Sequence, residues 1–427
     1  MTRFIIKNSS PLKGSVKISG SKNAVLPILA ASLLAEGKCT IRDVPGQSDV
    51  ETMQKLLERL GVDLSWDKEA GIITTSASSK LSAEAEYDLV SKMRASFLVM
   101  GPLLARLGEV NVPLPGGCAI GARPVDLHLK GFSALGAEVV QEHGNVRAKA
   151  KKLKGARVYL DFPSVGATEN IMMAAVLADG VTILENCAVE PEIVDLATFL
   201  NSAGAEVRGA GTDTIKIVGV KSLSEADHSI IPDRIEAGTF MVAAGVTKGD
   251  ITVTNVVADH LKPLIAKLKE VNLNVTETDL GLRVNYEEGK RVVAADAKTL
   301  PYPGFPTDMQ AQFMSLLVLA EGTSIVTETV FENRFMHVGE FKRMGADIKI
   351  ESRSAIIEGV KRLTGAQVKA TDLRAGAALV LAALTASGTT ELSDIYHIDR
   401  GYCDLEKKLS QLGAIINRVE DNSEKNY

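Results

Sequence analysis

Hydrophobic residues recur at helical spacing in several runs, and each run is followed by a similar short phrase. The run from Asp49 to Leu60, for example, repeats apolar residues every three to four positions and leads into Leu-Gly-Val-Asp-Leu. A glycine at the end of such a run, followed by alternating residues, predicts a helix that ends and a strand that begins. The phrase returns about every 70 residues, starting at Leu60, Leu135, Ala203, Val271, Met344 and Leu412.

A second set of helices is apolar and small on nearly every side, which is typical of helices buried in a core. One of them reads Ala-Val-Leu-Pro-Ile-Leu-Ala-Ala-Ser-Leu-Leu-Ala. Each ends in a second phrase with a glycine before a strand, starting at Leu33, Leu103, Val176, Gly245, Val318 and Leu384. The six copies therefore predict an α/β fold in which three units surround a core of helices, twice over, with strands outside.

Length and charge limit the possible functions. A chain of 427 residues exceeds the ~250 to 300 residues at which single cores stop growing, so we expect two domains with an active-site cleft between them. The net charge of -5, without a long basic run, argues against nucleic acid or an anionic membrane as a partner. No apolar stretch reaches the ~18 residues of a membrane-spanning helix, so we expect a cytoplasmic protein.

The four cysteines show no spacing typical of a disulfide framework or a zinc site. We expect at least three of them to be inert core thiols. Cys118 differs because it lies in the Pro- and Gly-rich segment Val112 to Pro124, which predicts an exposed, mobile loop. The neighbouring Arg123 would lower the pKa of this thiol, which favours a reactive group over a loop cysteine without a task.

The first turns of the buried helices carry an unusual set of residues, namely Lys22, Arg94, Gly166, Arg234, Asp308 and Arg374. Four of the six are basic, although the positive end of the helix dipole disfavours cations. They are either solvated first-turn residues or part of a site where helix N-termini and cations converge on an anion. In the second case the ligand is expected to carry phosphate or carboxylate.

Seven phrases together resemble the UDP-N-acetylglucosamine 1-carboxyvinyltransferase family of enolpyruvyl transferases, over about residues 3 to 418. They are Gly20-Ser-Lys-Asn-Ala, Met93-Arg-Ala-Ser, Pro115-Gly-Gly-Cys-Ala-Ile-Gly-Ala-Arg-Pro-Val-Asp-Leu-His, Pro232-Asp-Arg-Ile-Glu-Ala-Gly-Thr-Phe, Phe305-Pro-Thr-Asp-Met-Gln, Glu332-Asn-Arg-Phe-Met-His and Tyr396-His-Ile-Asp-Arg-Gly-Tyr.

The resemblance implies that the enolpyruvyl group of phosphoenolpyruvate is transferred to the 3-hydroxyl of UDP-N-acetylglucosamine with release of phosphate. This is the first committed step of peptidoglycan precursor synthesis, and no metal or other cofactor is expected. The implied fold is a two-domain inside-out α/β barrel whose first strands pair with the C-terminal domain. The domains would be residues 22–230, with the Cys118 loop as a lid, and residues 1–21 plus 231–427.

The resemblance also implies roles for individual residues. Cys118 would be the general acid that protonates the methylene carbon of phosphoenolpyruvate, and the epoxide fosfomycin would attack it. Asp308, the acid among the helix starts, would accept the proton of the 3-hydroxyl. The phosphoenolpyruvate-binding residues would be Lys22, Asn23, Arg123, Arg334, Arg374 and Arg400, with Lys22 also catalytic.

Binding of UDP-N-acetylglucosamine is carried over in the same way. Some family members have Lys where this chain has Phe162, so a side-chain contact to phosphate is not expected at that position. The implied set is Arg94, Arg123, Pro124, Val125, Asp126, Leu127, Ser164, Val165, Gly166, Asp308 and Val330.

Three groups of residues have structural interpretations. Asp233, Asp372 and Asp399 lie beside or one residue from arginines, and we expect ion pairs that hold those arginines. No pair among His128, His337 and His397 has metal-ligand spacing, so we expect packing or hydrogen-bonding roles. The polar tail, residues 419–427, is expected to be frayed.

Two rival functions stay open at this point. The related enolpyruvyl transferase that acts on shikimate 3-phosphate would share the fold, although the Pro-Gly-Gly-Cys loop and the Arg-Pro-Val-Asp-Leu phrase favour the nucleotide-sugar enzyme. A catalytically inactive paralogue could bind UDP-sugar as a regulator or scaffold. The presence together of Cys118, Asp308, Lys22 and Arg400 argues against that alternative.

Overall fold

The computed structural model describes residues 2–9, 11–77, 80–115 and 125–420. The described residues from Gly20 to Ile231 form one compact unit, here called the N-terminal unit. Those up to Ser19, together with those from Pro232 onward, form a second, the C-terminal unit.

The N-terminal unit contains three small sheets. Its strands are β3 (Lys38–Arg42), β4 (Val62–Asp67), β5 (Ile72–Ala77), β6 (Glu109–Pro113), β7 (Glu138–Glu142), β8 (Asn145–Lys149), β9 (Arg157–Tyr159), β10 (Val181–Glu185), β11 (Glu206–Arg208), β12 (Thr214–Val218) and β13 (Ala226–Ser229). The strand orders are β13-β3-β5-β4, β6-β8-β7 and β11-β12-β10-β9. Alternation produces the buried face of each strand; Cys39 and Ile41 of β3, for example, point inward while their neighbours do not.

The helices of this unit divide into buried and outer ones. They are α1 (Lys22–Ala31), α2 (Ser48–Arg59), α3 (Tyr87–Val90), α4 (Met100–Leu107), α5 (Asp126–Ala134), α6 (Val165–Ala175) and α7 (Pro191–Ser202). The apolar helices α1, α4 and α6 bury most of their residues, as their composition predicts. Short 3-10 turns cover Ser32–Leu34 after α1 and Arg94–Val99 before α4.

The C-terminal unit also contains three sheets. Its strands are β1 (Thr2–Lys7), β2 (Lys13–Lys17), β14 (Asp250–Thr254), β15 (Asn274–Thr278), β16 (Gly281–Asn285), β17 (Ala297–Lys298), β18 (Thr323–Thr327), β19 (Asp347–Glu351), β20 (Ser354–Glu358), β21 (Gln367–Lys369), β22 (Thr389–Ser393) and β23 (Ile415–Glu420). Strand β1 is antiparallel to both β22 and β23, and β2 is parallel to β14. The expected pairing of the first strands with the C-terminal part of the chain is therefore confirmed.

Three buried helices pack against one another in this unit as well. The helices are α8 (Arg234–Val246), α9 (Lys262–Glu270), α10 (Gln310–Leu317), α11 (Val338–Arg343), α12 (Leu373–Ala383), α13 (Tyr396–Asp399) and α14 (Leu405–Gln411), with 3-10 turns at Ala258–Leu261 and Thr307–Met309. Helix α8 buries every residue after Arg234. Gly245 permits its close contact with neighbours, because a Cβ there would lie 2.5 Å from Leu273 and 3.1 Å from Leu316.

Each of the six first phrases joins the end of a helix to the start of a strand. After Leu60, for example, α2 has ended at Arg59 and β4 begins at Val62. Each second phrase likewise leads from a buried helix into a strand; α12 ends at Ala383 and β22 begins at Thr389. The helix starts depart from the prediction at two positions, since Arg94 and Asp308 lie in 3-10 turns that precede α4 and α10.

Two structural expectations are wrong. Val419 and Glu420 are not part of a frayed tail, because β23 extends to Glu420 and pairs with β1; residues 421–427 lie outside the described residues. Cys39 and Cys187 are buried, and burial raises the pKa of both thiols, that of Cys187 to about 12. Cys403 is partly exposed next to Asp404 instead of lying in the core, because it follows a turn between α13 and α14.

No helix among the described residues is long and apolar enough to cross a membrane. Within the same ranges, no cluster of three or more His, Cys, Asp or Glu side chains is arranged to hold a metal ion.

Candidate active site

Asp308 lies between two arginines in the C-terminal unit. Its Oδ1 accepts a hydrogen bond from Nη2 of Arg334 at 2.9 Å, and its Oδ2 accepts one from Nη2 of Arg374 at 3.2 Å. Both arginine side chains are buried, with 4% and 3% exposure, whereas 28% of the Asp308 side chain is exposed. The carboxylate is therefore held by two cations and still faces solvent.

Arg374 is fixed at the start of α12 by a helix cap. The Asp372 carboxylate accepts hydrogen bonds from the backbone N–H groups of Arg374 and Ala375, at 2.8 and 3.1 Å. Asp233 caps α8 in the same way, through the N–H groups of Ile235 and Glu236. Both aspartates therefore act as helix caps beside the adjacent arginines, because a carboxylate preceding a helix is closest to the N–H groups of its first turn.

The third aspartate pairs with a more distant residue. Asp399 binds both terminal nitrogens of Arg418, at 2.7 and 2.9 Å, so the expected pair with the adjacent Arg400 is wrong. Arg418 also contacts Glu406, and its planar fork can satisfy both carboxylates from β23. Arg400 directly follows α13. Partial burial of His397, together with the positive charge of Arg400, lowers the pKa of His397.

A buried glutamate organises the segment that carries Arg334. Glu328 is 1% exposed and accepts a hydrogen bond from the Thr307 hydroxyl at 2.8 Å, immediately before Asp308 in the chain. It also accepts from the Thr299 hydroxyl at 2.7 Å and from the backbone N–H of Val330 at 2.8 Å. The Glu328 carboxylate therefore connects the segment of the candidate base Asp308 with Val330, which the family resemblance implies contacts the sugar nucleotide. The sequence analysis did not identify this role of Glu328.

Arg234, the remaining helix start of this unit, contacts an aromatic ring. Its guanidinium carbon lies 5.5 Å from the centre of the Tyr302 ring, a cation-π arrangement. A small pocket beside it is lined by His260, Pro263 and other residues of the neighbouring turns. Two of the three helix starts in this unit, Asp308 and Arg374, are therefore in direct contact.

Lys22 is the first residue of α1 in the N-terminal unit. Its Nζ lies 3.4 Å from Oδ2 of Asp49, and their side chains are only 12% and 5% exposed. Asn23 follows it and is half-buried. Asp49 lies in the first turn of α2 and was not identified from the sequence. A detectable signal was present, because an acid that follows Gln-Ser at the start of an amphipathic run is typical of a helix N-terminus.

The start of α6 has the features expected of an anion-binding turn. Ser164 caps the helix by accepting a hydrogen bond from the Ala167 N–H at 3.3 Å, and Val165 and Gly166 begin the helix. Gly166 allows close approach, since a Cβ there would lie 3.3 Å from Cε1 of His128. Phe162, which precedes this turn, is 45% exposed.

The histidines have the packing roles that the sequence predicted. His128 is buried beside Arg94, its Nδ1 lies 3.0 Å from Nδ2 of Asn170, and burial aided by the Arg94 charge lowers its pKa to about 3. His337 packs edge-on against Phe341, and burial lowers its pKa to about 4.

The remaining predicted site residues are placed as follows. Val125 precedes α5, whose first residues are Asp126 and Leu127; Asp126 is exposed and Leu127 is half-buried. Arg94 is half-buried at the start of its 3-10 turn. Cys118, Arg123 and Pro124 lie outside the described residues.

Comparison with known proteins identifies the family. A sequence profile described as EPSP synthase (3-phosphoshikimate 1-carboxyvinyltransferase) matches residues 6–409. UDP-N-acetylglucosamine 1-carboxyvinyltransferase 1 of Caldanaerobacter subterraneus is 61% identical over 417 residues, covering 98% of this chain and 99% of the relative. The chain belongs to the UDP-N-acetylglucosamine 1-carboxyvinyltransferase family. A second member, UDP-N-acetylglucosamine 1-carboxyvinyltransferase 2 of Carboxydothermus hydrogenoformans, is 59% identical and covers 99% of this chain and 100% of its own length.

Solved structures support the fold of this family. The enolpyruvyl transferase NikO from Streptomyces tendae superimposes with a TM-score of 0.87 at 26% identity, over 98% of this chain and 99% of its own. EPSP synthase from Acinetobacter baumannii gives a TM-score of 0.75 at 18% identity, over 98% of this chain and 100% of its own, which shows the fold alone. The family resemblance and the two-domain enolpyruvyl transferase fold predicted from the sequence are confirmed.

Proposed function

We propose that the protein transfers the enolpyruvyl group of phosphoenolpyruvate to the 3-hydroxyl of UDP-N-acetylglucosamine and releases phosphate. Family membership at 56–61% identity over nearly the whole chain supports this reaction. The main structural support is the carboxylate of Asp308. Each of its oxygens pairs with a buried arginine, and the side chain is still partly exposed. Such a group is held in a fixed orientation and keeps a face open toward a hydroxyl proton.

The chemistry begins with a proton transfer. Cys118 gives a proton to the methylene carbon of phosphoenolpyruvate, the electron-poor carbon beside it is attacked by the sugar 3-hydroxyl oxygen, and Asp308 accepts the hydroxyl proton. The Cys118 thiolate then takes a proton back from the new methyl group while the bond from the central carbon to the phosphate oxygen breaks, which releases phosphate and forms the double bond of the enolpyruvyl ether. A closing Cys118 loop would exclude water, which competes for the same carbon.

Cations supply the binding of the two anionic groups on phosphoenolpyruvate. Lys22, Arg123 and Arg400 would hold the phosphate and carboxylate, with Arg334, Arg374 and Asn23 assisting. The positions of Arg334 and Arg374 support this role, because both guanidinium groups lie at the partly exposed carboxylate of Asp308.

The nucleotide sugar would be held by the remaining residues of the implied set. The N-terminus of α6 at Ser164, Val165 and Gly166 offers backbone N–H groups to a phosphate, and Arg94 adds charge. Asp126, Leu127 and the backbone at Val330 would orient the nucleotide and the sugar. We place the reaction in the cytoplasm, as the first committed step of peptidoglycan precursor synthesis.

The test is release of phosphate from phosphoenolpyruvate by the purified protein. We expect release only when UDP-N-acetylglucosamine is added. Release with shikimate 3-phosphate instead would assign the activity of the related transferase. No release from folded protein that still binds UDP-N-acetylglucosamine would indicate an inactive binding protein and overturn the proposal.

The proposal extends to the inhibitor fosfomycin. We expect it to inactivate the protein irreversibly with a mass increase on Cys118, because a thiol close to cations ionises and attacks epoxides. Cys118→Asp keeps an acid in place and should be active and resistant. Inhibition that persists unchanged in Cys118→Asp would contradict the assignment of the thiol as the target.

A further inference from the structure

A cluster of uncharged polar side chains lies beneath Arg374 in the C-terminal unit. It consists of Thr239 on α8, Gln312 on α10 and Tyr402 after α13, and is called the hydroxyl cluster below. The three residues are 1%, 0% and 2% exposed. Buried polar groups cost stability unless they are hydrogen-bonded, so the contacts of this cluster determine how its protons are arranged.

Counting protons orients the Tyr402 hydroxyl. The Thr239 hydroxyl donates its single proton to the carbonyl oxygen of Ile235, at 2.8 Å. Thr239 must therefore accept in its 2.8 Å contact with the Tyr402 hydroxyl, which makes Tyr402 the donor. Nε2 of Gln312 donates to the Tyr402 oxygen at 3.2 Å. The phenol proton points toward Thr239, and the oxygen keeps lone-pair density on its other side.

That side of Tyr402 faces Arg374. The Arg374 guanidinium carbon lies 5.4 Å from the centre of the Tyr402 ring, and the two polar groups attract each other. Burial raises the pKa of Tyr402, so the hydroxyl keeps the proton that fixes its orientation. The hydroxyl dipole thus presents its negative end to a cation that is 2% exposed.

The cluster reaches Asp308 by two routes. Through Arg374, it supports the guanidinium whose Nη2 donates to Oδ2 of Asp308 at 3.2 Å. Through Gln312, it is linked to the backbone, because Nε2 of Gln312 also donates to the Asp308 carbonyl oxygen at 2.8 Å. Side chain and main chain of the base are therefore connected to the same buried hydroxyl.

We propose that Tyr402 is a positioning residue for the transfer reaction, which holds Asp308 in its proton-accepting geometry through Arg374 and Gln312. The inference rests on the proposed function of Asp308. Tyr402 itself is buried behind Arg374 and does not touch substrate in this assignment. Its effect is on the rate of the chemical step and not on the affinity for the nucleotide sugar.

Replacing Tyr402 by Phe removes the hydroxyl and keeps the ring. We expect kcat to fall about tenfold, as for loss of one hydrogen bond to a charged group, while KM for UDP-N-acetylglucosamine changes by less than about twofold. Tyr286→Phe is the matched control, since it removes a hydroxyl from the same unit that donates to the Lys290 carbonyl and contacts neither Arg374 nor Asp308. The control should leave kcat unchanged.

A second pair of variants covers the case in which Tyr402→Phe does not fold. Thr239→Ser keeps the acceptor for the Tyr402 proton, whereas Thr239→Val removes it and lets the hydroxyl rotate. We expect near-normal kcat in the Ser variant and a decrease of about threefold or more in the Val variant. Steady-state kinetics on each purified variant measure kcat, and Tm shows whether the variant is folded.

The outcomes separate this inference from the proposed function. Inactive wild-type protein would overturn the proposed function and this inference with it. Active wild-type protein with unchanged kcat in folded Tyr402→Phe would overturn the inference alone. Equal kcat in the Ser and Val variants of Thr239, or a rise in KM without a fall in kcat for Tyr402→Phe, would also overturn it.

Discussion

The two units share an arrangement of buried helices but differ in the chemistry at the helix starts. In the C-terminal unit, Asp308 is gripped by Arg334 and Arg374 at 2.9 and 3.2 Å, which makes a rigid acid-cation group. In the N-terminal unit, Lys22 lies at a looser 3.4 Å from Asp49, and the start of α6 offers backbone N–H groups. The repeated scaffold determines where the helix starts lie, and the residues there determine whether a start carries a carboxylate paired with arginines or offers backbone N–H groups.

The largest expected effect is at Asp308. Replacing it by Ala should lower kcat by about 1,000-fold or more, because the proton acceptor is lost, while UDP-N-acetylglucosamine still binds measurably. Turnover measurements test the decrease in kcat, and isothermal titration calorimetry tests the binding of UDP-N-acetylglucosamine. Asp250→Ala is the matched control, since it removes an exposed Asp–Arg pair with Arg283 in the same unit and should leave kcat unchanged. Near-normal turnover in Asp308→Ala would remove the base assignment.

The next effect concerns the buried carboxylate behind Asp308. Glu328→Gln keeps the shape but weakens the acceptor shared by Thr307 and Val330. We expect kcat/KM for UDP-N-acetylglucosamine to fall about tenfold. Glu358→Gln tests the same substitution at an exposed glutamate that accepts from Thr323, and should have no effect. Equal kcat/KM in the two variants would show that Glu328 does not position the site.

A smaller effect is expected for the looser pair of the N-terminal unit. Asp49→Asn should reduce kcat/KM for phosphoenolpyruvate about fivefold, because Lys22 loses the charge that orients it. Glu51→Gln is the control on the same helix turn, since Glu51 pairs with the exposed Lys68. If Asp49→Asn reduced turnover as much as Asp308→Ala, the contrast between a rigid and a loose charged group would be wrong.

The smallest effect is on stability and its pH dependence. Glu169 is buried on α6, and burial with the nearby Glu192 and Glu190 raises its pKa well above 4.5. The folded state therefore binds this proton more tightly than the unfolded state, so its contribution to stability is complete below pH 4.5 and is lost as pH rises toward the folded pKa.

Glu169→Gln should remove the loss of folding stability that occurs as the pH rises toward the pKa of Glu169. Relative to wild type, we expect a gain of about 1 kcal/mol in the free energy of unfolding at pH 8 and little difference at pH 4. Urea unfolding at the two pH values measures it, with the exposed Glu142→Gln as control. A gain that is equal at both pH values would exclude titration of Glu169 as the cause.

The contacts that sequence reasoning missed join residues distant in the chain. Asp49 meets Lys22 across 27 positions, and Glu328 meets Thr299 across 29. Asp399 was wrongly paired with its neighbour Arg400, since proximity in sequence does not determine the direction of a side chain. The family resemblance pointed to Asp308, Arg334 and Arg374 individually, but not to their mutual hydrogen bonds.

The sequence by itself determined the alternation of helices and strands, the burial of the small apolar helices and the family. These follow from local periodicity, glycine stops and matching phrases, which need no knowledge of distant residues. Only the tertiary structure decided which charges meet, Arg374 with Asp308 and Lys22 with Asp49, and that the hydroxyl cluster lies beneath Arg374. Such contacts depend on how several elements pack, and packing is a property of the folded chain as a whole.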